Sequence, residues 1–130
     1  MLEAITARLQ SASVAVSGTN LFIGILPETP DVCIGVYEYA GAQPLEVMVD
    51  NDATLERPSI QIIVRASRND YPTARNLIKN VRDVLTDITD ETISGVRFLR
   101  VSQISAINAV GTDDNDRPEF TLSLQAVVER

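Results

Sequence analysis

A chain of 130 residues, 45% of them hydrophobic, with three Phe, three Tyr and no Trp, has the size of one domain and must build its core from Val, Ile, Leu and Ala. Its formal charge of -7, from 18 Asp and Glu against 11 Lys and Arg, excludes a general nucleic-acid binder, which needs clustered cations to neutralise phosphates. The lack of His and the single Cys33 exclude Ser-His and Cys-His nucleophile pairs, an intramolecular disulfide and a structural zinc site.

Taken in chain order, Leu2, Ile5, Leu9, Ala12 and Val16 recur at helical spacing between Glu3, Thr6, Arg8 and Gln10, which predicts an amphipathic helix over residues 2–16. Gly18-Thr19-Asn20 ends it. Leu21 to Leu26 predicts a short strand, stopped by Pro27-Glu28-Thr29-Pro30. At six residues this longest apolar stretch is far below the roughly 20 needed to span a bilayer. The N-terminus carries Glu3 and Arg8 without a cleavable apolar core, so the expectation is an intracellular protein with no membrane partner. Cys33 to Tyr39 predicts a second strand, with Cys33 a small buried hydrophobe and Tyr37 and Tyr39 on one face. Gly41-Ala42-Gln43-Pro44 then reads as a turn, and Leu45, Val47 and Val49 as the returning arm of a hairpin. The acidic, unpatterned stretch from Asp50 to Glu56 reads as a mobile loop.

Leu55 to Leu85 is the most informative segment. Ile60, Ile62, Val64 and Ala66 fall on one face of an extended run, with Pro58, which cannot donate to a ladder, at its entrance. Asn69-Asp70 offer capping oxygens and Pro72 fits the first helical turn. From Tyr71 onward Ala74, Leu77, Ile78, Val81, Val84, Leu85 and Ile88 draw one apolar stripe, leaving Arg75, Lys79, Arg82 and Asp83 to solvent. Thr89-Asp90-Glu91 closes this helix, and Gly95 opens a strand from Val96 to about Gln103, which Ile104 to Val110 continue across a bulge. Gly111 to Asp116 reads as a hairpin loop. Phe120, Leu122, Leu124, Ala126 and Val128 give the last strand one core face. This order, with no repeat and no linker, predicts one α+β domain over residues 1–130, a mixed, mainly antiparallel sheet with two helices packed on one side.

Catalytic chemistry has little to draw on. No GxxxxGK[ST] or GxGxxG cradles phosphates, and nothing in the sequence beside the Asp90-Glu91 and Glu28/Asp31 pairs suggests a pocket that would shift a pKa. Asp113, Asp114 and Asp116 supply oxygens suited to Ca²⁺ or Mg²⁺, but the spacing lacks the Gly and distal Glu of an EF-hand loop, so the expectation is a solvated acidic hairpin with no metal and no cofactor. Arg57, Arg65, Arg68, Arg97 and Arg100 read as outward residues on solvated strand faces, or as partners of carboxylates across a subunit interface.

The order of LPETPDVCIGVYEYAG (Leu26 to Gly41), ERPSIQIIVRA (Glu56 to Ala66) and DYPTARNLIKNVRDVL (Asp70 to Leu85) resembles the bacteriophage minor capsid proteins grouped with tail terminators, also called tail completion proteins. The likeness covers roughly Leu21 to Val128. It implies a structural virion protein, not an enzyme. Such a subunit forms a homohexameric ring at the head-proximal end of a long tail, after assembly in the host cytoplasm. There the ring ends growth of the tail tube and offers a surface to the head-tail connector or stopper, while DNA passes through without specific binding. The family supplies no fixed catalytic or ligand residues. The expected subunit or partner contacts are Arg57, Arg65, Arg68 and Tyr71. The expected lumen-facing acids are Asp50, Asp52, Glu56, Asp113, Asp114 and Asp116, whose charge would keep DNA from adhering to the wall. The alternatives are another connector or stopper component, a small-molecule-binding regulatory α+β domain, which requires convergent polar groups on a core face, and a hydrolase using carboxylates alone.

Overall fold

The computed structural model describes residues 1–46 and 54–129. Helices α1 (Leu2–Ser11) and α2 (Tyr71–Thr86) accompany strands β1 (Leu21–Ile23), β2 (Cys33–Glu46), β3 (Thr54–Arg65), β4 (Thr89–Ile93), β5 (Val96–Gln103), β6 (Asn108–Thr112) and β7 (Pro118–Glu129). The strands form one mixed sheet in the order β1-β2-β3-β7-β5-β4, with β6 also paired to β7. β1 runs parallel to β2, and the other paired strands are antiparallel. This is the α+β arrangement expected from the element order.

The inward face of the sheet is written in the alternation of its two central strands. Ile60, Ile62 and Val64 of β3 stand opposite Leu124, Leu122 and Phe120 of β7, and all six are buried. Over them lies α2, whose Ala74, Ile78, Val81 and Leu85 are buried at a spacing of three and four. From α1, Ala4, Ile5 and Leu9 join the same core. That helix packs on β1 and β2 at one end of the strand order and on β4 at the other, while α2 packs on β3, β5 and β7. The sheet therefore curls around the helix pair.

Several boundaries differ from the pattern reading, each for a local reason. α1 stops at Ser11, five residues short of the expected end. Ser13 takes a left-handed φ of 60°, and the N–H groups of Val16 and Ser17 are taken by the side-chain oxygens of Asn20 (2.7 Å) and Gln10 (2.9 Å). Val16 is consequently 53% exposed. β1 ends at Ile23, three residues before Leu26, because Gly24 turns at a φ of 73°.

β2 runs straight through Gly41-Ala42-Gln43-Pro44, where a turn was expected. Two register shifts, between Tyr39 and Ala42 and between Ala42 and Leu45, absorb these residues as irregularities. β3 begins at Thr54, so residues 54–56 are strand and not loop. Pro58 lies inside the strand opposite the first shift, where the ladder makes no use of its missing N–H. The proposed return arm from Val47 to Val49, and Asp50 to Ala53, lie outside the described residues.

At the start of α2, Asn69 adopts a φ of 59° and Asp70 makes no side-chain capping bond, so the corner is held by backbone bonds from Asn69 N–H to the Asp116 carbonyl (3.1 Å) and from Asp70 N–H to the Ser67 carbonyl (3.0 Å). Thr89-Asp90-Glu91, read as the close of the helix, belongs instead to the edge strand β4, which is joined to β5 by Ser94-Gly95, both at positive φ as a tight two-residue hairpin demands. β6 prolongs β5 along the same edge of β7 after a break at residues 104–107, close to the continuation across a bulge that the sequence predicts.

Leu122 sits at the centre of this packing, with no exposed surface. Leu122→Ala is expected to cost ~3 kcal/mol in urea unfolding, the usual scale for an unfilled core cavity. A loss under ~1 kcal/mol would show that the core is not centred on the β3–β7 pair.

Candidate functional site

On the sheet face away from the helices, the alternate positions of the same strands bring Cys33, Arg65 and Glu119 side by side across β2, β3 and β7. The chain between β1 and β2 lies over them. Arg65 is 3% exposed, and its guanidinium donates to four carbonyls of this loop: Asp31 (3.1 Å), Pro30 (2.8 Å), Glu28 (3.3 Å) and Pro27. Arg117, at the mouth of the β6–β7 hairpin and 4% exposed, holds the same loop from the other side. It donates to the Glu28 carbonyl (2.7 Å) and pairs with the carboxylates of Asp31 (3.2 Å), Glu28 (3.0 Å) and Asp113 (2.8 Å). Two planar cations thus clasp one loop, a task for which Arg's fork of donors is better suited than a lysine ammonium.

Asp113 organises the hairpin as well as pairing with Arg117. Its carboxylate accepts the backbone N–H groups of Asn115 (3.0 Å) and Arg117 (2.9 Å), which closes the turn. Burial pushes the Asp113 carboxyl upward, but the Arg117 backbone N–H, the Arg117 guanidinium and the Asn115 N–H together hold it below its ordinary value. Glu119 moves the other way. Burial, helped by the charge of Asp113, raises its pKa against the pull of Arg65 and Arg117. Burial likewise raises the Cys33 thiol, which is 1% exposed and fits the small buried hydrophobe expected of it.

The expected contact residues do not form one surface. Arg68 and Tyr71 meet at the corner before α2: Arg68 is 71% exposed and pairs with Asp116 at 3.2 Å, and Tyr71 packs edge-on against Phe120 with ring centres 4.9 Å apart. Asp114 and Asn115 border them around a shallow polar depression that Asp31 and Arg117 also line. Arg57 and Glu56 are half-buried on the opposite end of β3, roughly 26 Å of strand away from Arg65. Arg65 is not the outward strand residue that was expected, because the loop from Pro27 to Asp31 covers it.

The acidic set divides in the same way. Asp113 faces Arg117 inside the hairpin instead of solvent, Asp114 and Asp116 are exposed, and Asp50 and Asp52 lie outside the described residues. Arg97, read as outward, is exposed but pairs within the subunit with Asp90 (2.9 Å) and Glu129 (2.7 Å). Sequence reasoning missed Arg117, whose one local signal is an Asp four residues before a cation at a strand entrance. Among the described residues no cluster of three or more His, Cys, Asp or Glu could hold a metal ion, and no helix is long and apolar enough to cross a membrane.

The profile of the family described as "Bacteriophage tail terminator protein" matches residues 8–130. The chain belongs to that family. It is a structural protein of a phage-type tail. A chain in the solved structure titled "Virion of native gene transfer agent (GTA) particle" is 18% identical, over 100% of this chain and 95% of that one, with a TM-score of 0.73. The two share a fold. No curated protein sequence matches this terminator-family chain.

Two measurements probe the clasp. Arg65→Ala leaves four carbonyls without their donor and is expected to cost ~3 kcal/mol, read by urea unfolding, with faster proteolysis in the loop around Glu28. Unchanged stability and unchanged cleavage would mean the loop holds itself. Asp113, with a folded-state pKa below the ordinary 3.8, favours the folded state in full above that value and loses the contribution as pH falls through the folded pKa. Asp113→Asn should therefore flatten the acid limb of a melting-temperature profile below about pH 4. A parallel profile for variant and parent would dismiss Asp113 as a source of acid sensitivity.

Proposed function

We propose that this chain is the subunit of a hexameric ring that caps the head-proximal end of a long tail tube, stops its growth and offers a surface to the head-tail connector or stopper. The observation that carries this reading is membership of the terminator family across residues 8–130. The absence from the sequence of His and of any phosphate-binding glycine loop agrees with a role that needs contacts and no turnover.

In this reading Arg68 and Tyr71, exposed at the corner before α2, meet neighbouring subunits, with Arg57 at the far end of β3 a further contact, while Arg65 acts within the subunit by fixing the loop from Pro27 to Asp31. Asp114 and Asp116, with Glu56, line or border the channel. Their charge repels passing DNA, so the duplex moves through without specific binding. Asp113 contributes through the hairpin's shape. The subunit accumulates in the host cytoplasm and ends in the virion.

Light scattering on the purified protein, alone and after addition to assembled tail tubes, tests the ring. The expected result is a sixfold mass in solution, or six copies at one end of each tube. A stable dimer, or tubes that bind no copies at their ends, would overturn the proposal.

A further inference from the structure

The loop over the outer face of the sheet is a strap with little hold on the core. No residue from Gly24 to Asp31 is buried; Leu26 and Pro27 are half-buried and Ile25 is 54% exposed. Its two ends are tied by backbone bonds, from Gly24 N–H to the Val36 carbonyl (2.8 Å) and from Ile34 N–H to the Asn20 carbonyl (2.9 Å). Between these ties the hold is polar. It consists of the Arg65 and Arg117 guanidiniums and the side-chain amide of Asn115, which donates to the Glu28 carboxylate (2.8 Å). A segment fastened by polar bonds, with little buried apolar area, opens at a lower free energy than the whole fold.

The bonds that Arg65 makes are not those its place on the ladder favours. It stands directly opposite Glu119 in the β3–β7 register, on one face of the sheet, where side chains of opposite charge ordinarily pair. Yet among the described residues no ion pair joins the two, and the Arg65 Nε and Nη2 donate to four neutral carbonyls of the strap. A carboxylate is the stronger acceptor, and it binds a guanidinium best through two parallel N–H groups. With Nε and Nη2 committed to the strap, presenting that fork to Glu119 requires the guanidinium to turn away from those carbonyls.

We propose that Arg65 is a two-position switch for the strap. In the closed position, seen in the structure, it donates to the carbonyls of Pro27, Glu28, Pro30 and Asp31. In the open position it pairs with ionised Glu119, the strap lifts between its tied ends, and Cys33 is uncovered. Protonation of Glu119 leaves Arg65 to the strap, and ionisation makes Glu119 a competitor for it. The groups that face Glu119 are Arg65 on β3, Cys33 and Tyr37 on β2, Arg117 on its own strand and Asp113 in the hairpin. Glu28 and Asp31, on the strap itself, face Arg117. Burial and the Asp113 charge raise the closed-state pKa of Glu119, so closure is full below its ordinary value and is lost as pH rises through the raised one. Asp113, whose pKa is lowered, stops supporting Arg117 only as pH falls through that lowered value. The strap is tightest between these two titrations. The switch works within one subunit and stands or falls separately from the ring.

Cys33 is the only thiol in the chain and lies under the strap, so its reaction with dithionitrobenzoate reads the opening. At neutral pH the parent is expected to label at least about tenfold faster than its urea stability allows for global unfolding. Glu119→Gln removes the partner of the open position and should slow labelling about tenfold, with a urea midpoint no lower than the parent's. The direction is diagnostic. Burial first, and the Glu119 charge after it, raise the thiol pKa, so loss of that charge by itself would speed the reaction. The ratio of parent to E119Q rates should also grow as pH rises through the Glu119 titration. Labelling of the parent that merely tracks global unfolding would overturn the switch, and so would an E119Q variant that labels as fast as the parent or faster.

Discussion

The rest of the structure depends on the contact between the β3–β7 pair and α2. Ile60, Ile62 and Val64 meet Leu124, Leu122 and Phe120 across one ladder, and Ala74, Ile78, Val81 and Leu85 close over them. β3 and α2 are adjacent in sequence, whereas β7 arrives from the end of the chain and inserts between β3 and β5. Aliphatic side chains supply most of this core, and with so few aromatics its stability rests on close packing of many medium-sized groups.

A consequence of that central insertion is the corner on the opposite face. Bringing β7 beside β3 sets Glu119 against Arg65 and places Arg117 at the end of the loop from Pro27 to Asp31. The two arginines anchor a proline-rich connection that has no ladder of its own. This also accounts for part of the acidic charge: Glu28, Asp31 and Asp113 neutralise Arg117. The acids left at the surface of the hairpin, Asp114 and Asp116, are therefore carried on a turn pinned by Asp113 and the buried Arg117 and do not sit on a loose loop. Fixed charge of this kind suits a structural part whose surface must keep one shape.

The margins of the sheet show the opposite economy. Where β4 could recruit a stray strand it is guarded by ion pairs and by α1; β2 carries Glu38, Pro44 and Glu46 and two bulges along its outer stretch, whereas β6 is uncharged and exposed.

The sequence by itself determined the elements whose period is strong. Ile60 to Ala66, Tyr71 to Leu85 and Phe120 to Val128 carry hydrophobic patterns long enough to outvote local noise, so the central strand, the long helix and the last strand, with their buried faces, were legible. The family was legible as well, from the order of three motifs. Only the tertiary structure decided what long-range contacts decide. Gly41 to Pro44 reads as a turn, yet it is strand because β3 pairs across it and bulges absorb the irregular residues. Thr89 to Ile93 lacks an apolar period, yet it is strand because β5 offers it an edge. Arg65 reads as an outward residue on an alternating strand, yet it is buried because a loop from more than thirty residues upstream folds over it. Arg117 carries almost no local signal, since its carboxylate and carbonyl partners at Glu28 and Asp31 are brought to it only when β7 enters the middle of the sheet. Periodicity records which face of an element is buried; it cannot record which distant segment will come to lie on the other face.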